Sequence, residues 1–152
     1  MPTYAGVGAR KTPLEILAIM SQIAHRLYGM GWHLRSGGAK GADTAFAQGL
    51  PSDGKTIFIP RDATPAAIEI AASFHPAWHR CGDYARQCHG RNMMILLGAQ
   101  LSSPVQKVIC WTADGKVTGG TGQAIRAAEA YGIQVSNLGD ETTMEKCLDW
   151  LA

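Results

Sequence analysis

Residues 117–138 read VTGGTGQAIRAAEAYGIQVSNL: three glycines within four positions, an alanine-rich helical stretch, then a short strand of alternating character. Glycine in a helix costs about 1 kcal/mol relative to alanine, so three at a helix start need a reason. A tight turn is one. An anion site is the other, because glycine lets backbone approach a ligand and the first helical turn offers unpaired N–H groups and partial positive charge.

The same grammar runs back through the chain. TYAGVG (3–8) is an apolar strand entering the loop GVGARK. Thr12, Pro13 and Glu15 then suggest an N-cap, a first helical position and a capping box. Ile16, Met20, Ile23, Leu27 and Met30 recur at helical spacing up to Gly31. WHLRSGG (32–38) is a second strand, running through SGGAKGAD into a small-residue helix with Ala42, Ala45, Phe46 and Gly49 on one side. KTIFIP (55–60) is a third strand, residues 65–74 are helical up to the break at His75–Pro76, and 83–97 form another helix. VQKVICWT (105–112) is the fourth strand and IQVSNL (133–138) the fifth. The capping box TTME (142–145) opens a last helix, with Met144, Leu148 and Leu151 facing inward.

Strands and helices alternate from end to end, which predicts a single α/β domain over 1–152: a Rossmann-like three-layer α/β/α sandwich with a mainly parallel sheet of about five strands. Ligands of such sheets sit beyond the carboxyl ends of the strands. Three glycine-rich loops, GVGARK, SGGAKGAD and TGGTGQ, fall at those ends and predict a composite anion or nucleotide site.

Charged residues make up 17% of the 152 and hydrophobic ones 46%. A low charge share with a large apolar share predicts self-association, most simply a C2 dimer, with residues 65–97 as the surplus apolar face. A net charge of +2 argues against a dedicated duplex-DNA binder. No basic segment precedes an apolar run at the start, and no run approaches the roughly 20 residues of a bilayer span. Cys81, Cys88, Cys110 and Cys147 lack C-x-x-C spacing and read as free thiols of a cytoplasmic protein.

Arg10 and Lys40 in the first two loops are placed to meet phosphate, and Lys11 lies beside them. Asp43 either favours the positive end of its helix or bonds a ribose hydroxyl. Ser36 either meets a phosphate or ends a strand. Asn92 shares a helical face with Cys88 and Leu96 and points inward, to backbone or to a pocket wall. Trp111 ends the fourth strand beside the third loop and is the tryptophan placed to stack on a base. His75, His79, Cys81, Cys88 and His89 cluster in sequence, but Pro76 breaks the helical face between the two histidines, and no metal or other cofactor is expected.

Together these residues resemble the SLOG superfamily, which groups the Lonely Guy (LOG) proteins with the DNA-processing protein A (DprA) family. GVGAR…TP is similar to a first-strand GxGSR…P, with Ala9 for serine. LRSGGAKGADTAFAQG resembles SGGAxGID..A..G, GRN (90–92) an arginine–asparagine pair, and VTGGTGQAIRAAEAYGIQVSNL the closing turn, helix and strand of small, often phage-encoded, DprA-like proteins. The resemblance implies binding of nucleotides, nucleotide-derived signals or single-stranded DNA, by an oligomer. It implies ligand contacts at Gly8, Arg10, Ser36, Gly37, Gly38, Asp43, Arg91, Gly119, Gly120 and Thr121. LOG enzymes cleave an N-glycosidic bond with a glutamate in PGGxGTxxE. Here Thr118 and Gln123 stand for the proline and threonine, and Ala124, Ile125 and Arg126 occupy the region of the acid. Asp43 is then the carboxylate left for catalysis. The expected activity is binding of a nucleotide or nucleotide-derived signal, with N-glycosidic hydrolysis and single-stranded DNA binding as alternatives.

Overall fold

A computed structural model of residues 1–152 contains five strands: β1 (Thr3–Gly6), β2 (His33–Gly37), β3 (Lys55–Phe58), β4 (Lys107–Cys110) and β5 (Gln134–Asn137). They form one sheet in the order β3-β2-β1-β4-β5, and every pairing is parallel. Six α-helices cover it: α1 (Leu14–Gly29), α2 (Ala42–Ala47), α3 (Pro65–Phe74), α4 (Asp83–Leu97), α5 (Gly119–Ala130) and α6 (Glu141–Leu151).

Period-two alternation along the strands feeds two separate cores. Tyr4 and Ile109 point to one face, where Met20, Leu27 and Phe46 of α1 and α2 lie buried and α6 adds Met144 and Leu151 at the margin. Ala5 and Val108 point to the other, against Ala67 and Ala71 of α3, Met93 to Leu97 of α4, and Ile125 and Ala128 of α5. This is the expected three-layer α/β/α sandwich.

Residues 65–97 put most of their large apolar side chains inside, with Tyr84 the exception at 62% exposed. Five consecutive residues, Met93 to Leu97, are buried, because α4 touches the sheet, α3 and α5 on different sides. A Cβ on Gly90 would come within 2.7 Å of Ile68 Cγ1, so glycine there permits the close approach of α3. The apolar run Met93–Leu97 is thus packed within the chain.

Local details depart from the sequence reading. Thr12 does not cap α1; its hydroxyl donates back to Ala9 O at 2.6 Å, closing the first loop, and the helix starts at Leu14. The cap of α6 is Asp140, whose carboxylate accepts from Thr143 N–H at 3.0 Å, so the helix starts ahead of TTME. Met30 and Leu148 are exposed: Met30 follows the last residue of α1, and α6, which carries Leu148, buries none of its residues. No helix is long and apolar enough to cross a membrane.

Candidate functional site

Strand order reverses between β1 and β4. The chain winds outward from β1 through β2 to β3, then returns to β4 on the other side. Loops leaving β1 and β4 therefore diverge to opposite faces and leave a crevice at their carboxyl ends. A cleft of about 580 Å³ occupies that place. It is lined by Val7 to Lys11 after β1, by Trp111 to Ala113 and Thr118 to Thr121 after β4, by Ala39 and Asp43 after β2, and by Cys88, His89, Arg91 and Asn92 of α4.

The third loop supplies its backbone. The first helical bond of α5 runs from Gly122 N–H to Thr118 O at 2.8 Å, and Thr118 offers no side-chain cap. The N–H groups of Gly119, Gly120 and Thr121 precede it without helical partners. A Cβ at Gly119 or Gly120 would meet no atom within 4 Å, so neither glycine is required by packing. Gly119 takes φ +66, a conformation that suits glycine.

Glycines of the other loops have a different purpose. A Cβ on Gly8 would lie 2.6 Å from Ala42 Cβ, and one on Gly41 2.8 Å from Ala9 O. The first two loops thus dock backbone against backbone. Gly37 makes room for two charged side chains, since its Cβ would fall 2.6 Å from Asp43 Oδ2 and 2.7 Å from Arg91 Nη1.

Arg91 is almost fully buried. It donates Nη1 to Phe58 O at 3.1 Å and Nε to Asn92 Oδ1 at 2.9 Å, tying α4 to the end of β3. Asp43 is the sole carboxylate lining the cleft and is 6% exposed. Its Oδ2 accepts a 3.4 Å bond from Ala39 N–H. Burial pushes its carboxyl up to about 6, against the opposing pull of Arg91 and the Ala39 amide. Arg10, Lys11 and Arg91 line the same cleft, so cations outnumber carboxylates there and an anion is the favoured occupant.

The cleft therefore brings together Gly8, Arg10, Asp43, Arg91, Asn92, Trp111, Gly119, Gly120 and Thr121. Other expected residues lie outside its lining. Ser36 is fully buried and donates its hydroxyl to Gly6 O. Gly37 lies beneath the Asp43 and Arg91 side chains, and Gly38 is exposed beyond it. Lys40 lines a separate depression with Leu17, Ser21 and Thr44. Gln123 is buried and donates to Ala71 O at 2.9 Å while accepting from Arg126; it pins α5 to α3.

One positioning group escaped the sequence reading. Asn137 at the end of β5 accepts from Thr112 N–H at 3.1 Å and Gly139 N–H at 2.9 Å, and donates to Thr112 Oγ1 at 2.7 Å. It holds the stretch that presents Trp111. An asparagine closing a strand was the available signal, but its partner lies 25 residues away. Comparison with protein-family models, curated proteins and solved structures finds no match.

Proposed function

We propose that the chain binds a nucleotide or nucleotide-derived anion in the cleft where strand order reverses, with phosphate at the Gly119–Thr121 turn. The observation that carries this reading is the uncapped start of α5, whose glycines face open space across a cleft lined by Arg10, Lys11 and Arg91. Unpaired N–H groups and a helix dipole suit phosphate oxygens. Trp111 lines the same cleft, and an indole there suits stacking on a base. The likeness of the loop motifs to the SLOG superfamily supports the same class of ligand.

Thermal unfolding with a panel of mono-, di- and cyclic nucleotides tests it. Ligand at 100 times its dissociation constant stabilises by about 2.7 kcal/mol. No shift at millimolar concentration with any of them would end this reading. Salt-sensitive binding of oligo-dT with no nucleotide effect would replace it with single-stranded DNA binding.

One observation favours a second reading, N-glycosidic hydrolysis: Asp43 is a buried carboxylate inside the cleft. An ionised carboxylate stabilises the positive charge that develops on ribose as the bond to the base breaks. Base release from AMP, followed by chromatography, should then rise with pH through about 6 as Asp43 ionises. Asp43→Asn should lose orders of magnitude in rate and keep affinity within about tenfold. Intact AMP after long incubation leaves the binding reading alone.

A further inference from the structure

Where α3 ends, Pro76 turns the chain away from the helical path, and a short turn, Trp78–Arg80, leads to Cys81. Loss of the helical face separates His75 from His79, but the same bend swings Cys81 back onto His75. His89 reaches the pair from α4. The donor atoms of His75, Cys81 and His89 all lie within 4.8 Å of one another, and all three residues are half-buried. We propose that these three side chains form a zinc(II) site whose fourth position is left to water or an added ligand.

The donor set suits that ion: imidazole nitrogen and thiolate sulfur are both zinc ligands, and three protein ligands leave one tetrahedral position for water. His75 Nε2 stands 3.6 Å from Cys81 Sγ. That matches the edge of a tetrahedron built from Zn–N near 2.05 Å and Zn–S near 2.3 Å, which is about 3.6 Å. His89 Nδ1 is buried and has no hydrogen-bond partner. Trp78 packs against both histidine rings, at 5.9 Å and 6.2 Å between centroids, and Arg86 covers the tryptophan. This fence limits how far the rings can turn.

Without metal, the cluster is a small hydrogen-bonded ring. Ala77 N–H donates to His75 Nδ1 at 3.0 Å, His75 Nε2 faces Cys81 Sγ, and the thiol can donate to Ala77 O at 3.9 Å. Zinc takes the place of the proton between Nε2 and Sγ, and the thiol proton passes to solvent. His75 must then carry its remaining proton on Nδ1, so the Ala77 amide turns away. That rearrangement, with two arginines close by, makes the site one of moderate affinity.

Cobalt(II) titration of the purified, nucleotide-free chain is the test. The expected result is a thiolate-to-cobalt charge-transfer band with intense four-coordinate d–d bands, both displaced by zinc. Cys81→Ser should abolish the charge-transfer band, whereas Cys147→Ser and Cys88→Ser should keep it. His89→Gln should weaken zinc binding by at least about tenfold. Zinc should also move the Ala77 amide resonance of the unmodified chain, a readout that needs no variant. Absence of the band in the unmodified chain, or its persistence in Cys81→Ser, overturns the proposal. The titration contains no nucleotide, so its failure leaves the ligand reading untouched.

Discussion

Asp43 is the one acidic residue among the buried polar groups, and its burial has a consequence for stability. Its carboxyl titrates near 6 in the folded chain and near 3.9 when unfolded. The folded state therefore holds the proton more tightly, and the group's contribution is fully present below about pH 4 and lost as pH rises through about 6. Two units correspond to about 3 kcal/mol at most. Asp43→Asn should accordingly be more stable than the parent at pH 8, by about 1–3 kcal/mol, and lose that advantage at pH 4. Urea unfolding at both values reads this, and equal differences at the two would contradict it. Two glycines make a second comparison. Gly8→Ala forces a methyl onto Ala42 and should cost about 1–3 kcal/mol. Gly120→Val enters open space and should keep the circular dichroism spectrum and most of the stability while losing any nucleotide-induced shift. Sequence alone could not separate these glycines, since what distinguishes them is which distant atom stands where a Cβ would go.

At the scale of elements, the helices differ in how firmly they are held. Arg91 and Gln123 fasten α4 and α5 from the inside, and each donates to a backbone carbonyl of another element or its end. No residue of α6 is buried. A cavity of about 400 Å³ lies beneath it, lined by Leu27, Trp32, Cys147 and Trp150 among others. Its outer end is held by Arg26, which stacks on Trp150 at 5.1 Å and donates to the Trp150 and Leu151 carbonyls. Amide exchange should therefore be fastest in α6 and slowest in the second half of α4. Arg26→Ala should accelerate exchange in α6 and leave α4 unchanged; uniform protection across both helices would refute the ordering. The existence of every helix was legible in the chain, because the apolar spacing of α1 and the stop at Pro76 are local signals. The caps were less so. Thr12 has the right chemistry for a cap, but closing the first loop onto Ala9 competes for the same hydroxyl.

For the whole molecule, alternation of strands and helices carried the class of fold and the parallel sheet, and the three glycine loops pointed to the end of the sheet where the cleft lies. Strand order was not readable, since pairing depends on which faces the helices cover. Nor did composition distinguish an apolar interface from an interior: Met93 to Leu97 would suit either, and α3 decides the matter by covering α4. The strand order also dictates when the molecule can come into being. In the central strand, Thr3 to Ala5 pair with His33 to Arg35 on one side, and Tyr4 to Gly6 pair with Lys107 to Ile109 on the other. On the ribosome, the residues through β3 emerge with one edge of the central strand bare, and that edge stays open until Lys107 to Ile109 have been synthesised. Bare edges recruit foreign strands. A nascent chain of this protein is thus most exposed to misassembly and chaperone capture in that interval, and no ligand can rescue it, because half of the cleft has not yet been synthesised.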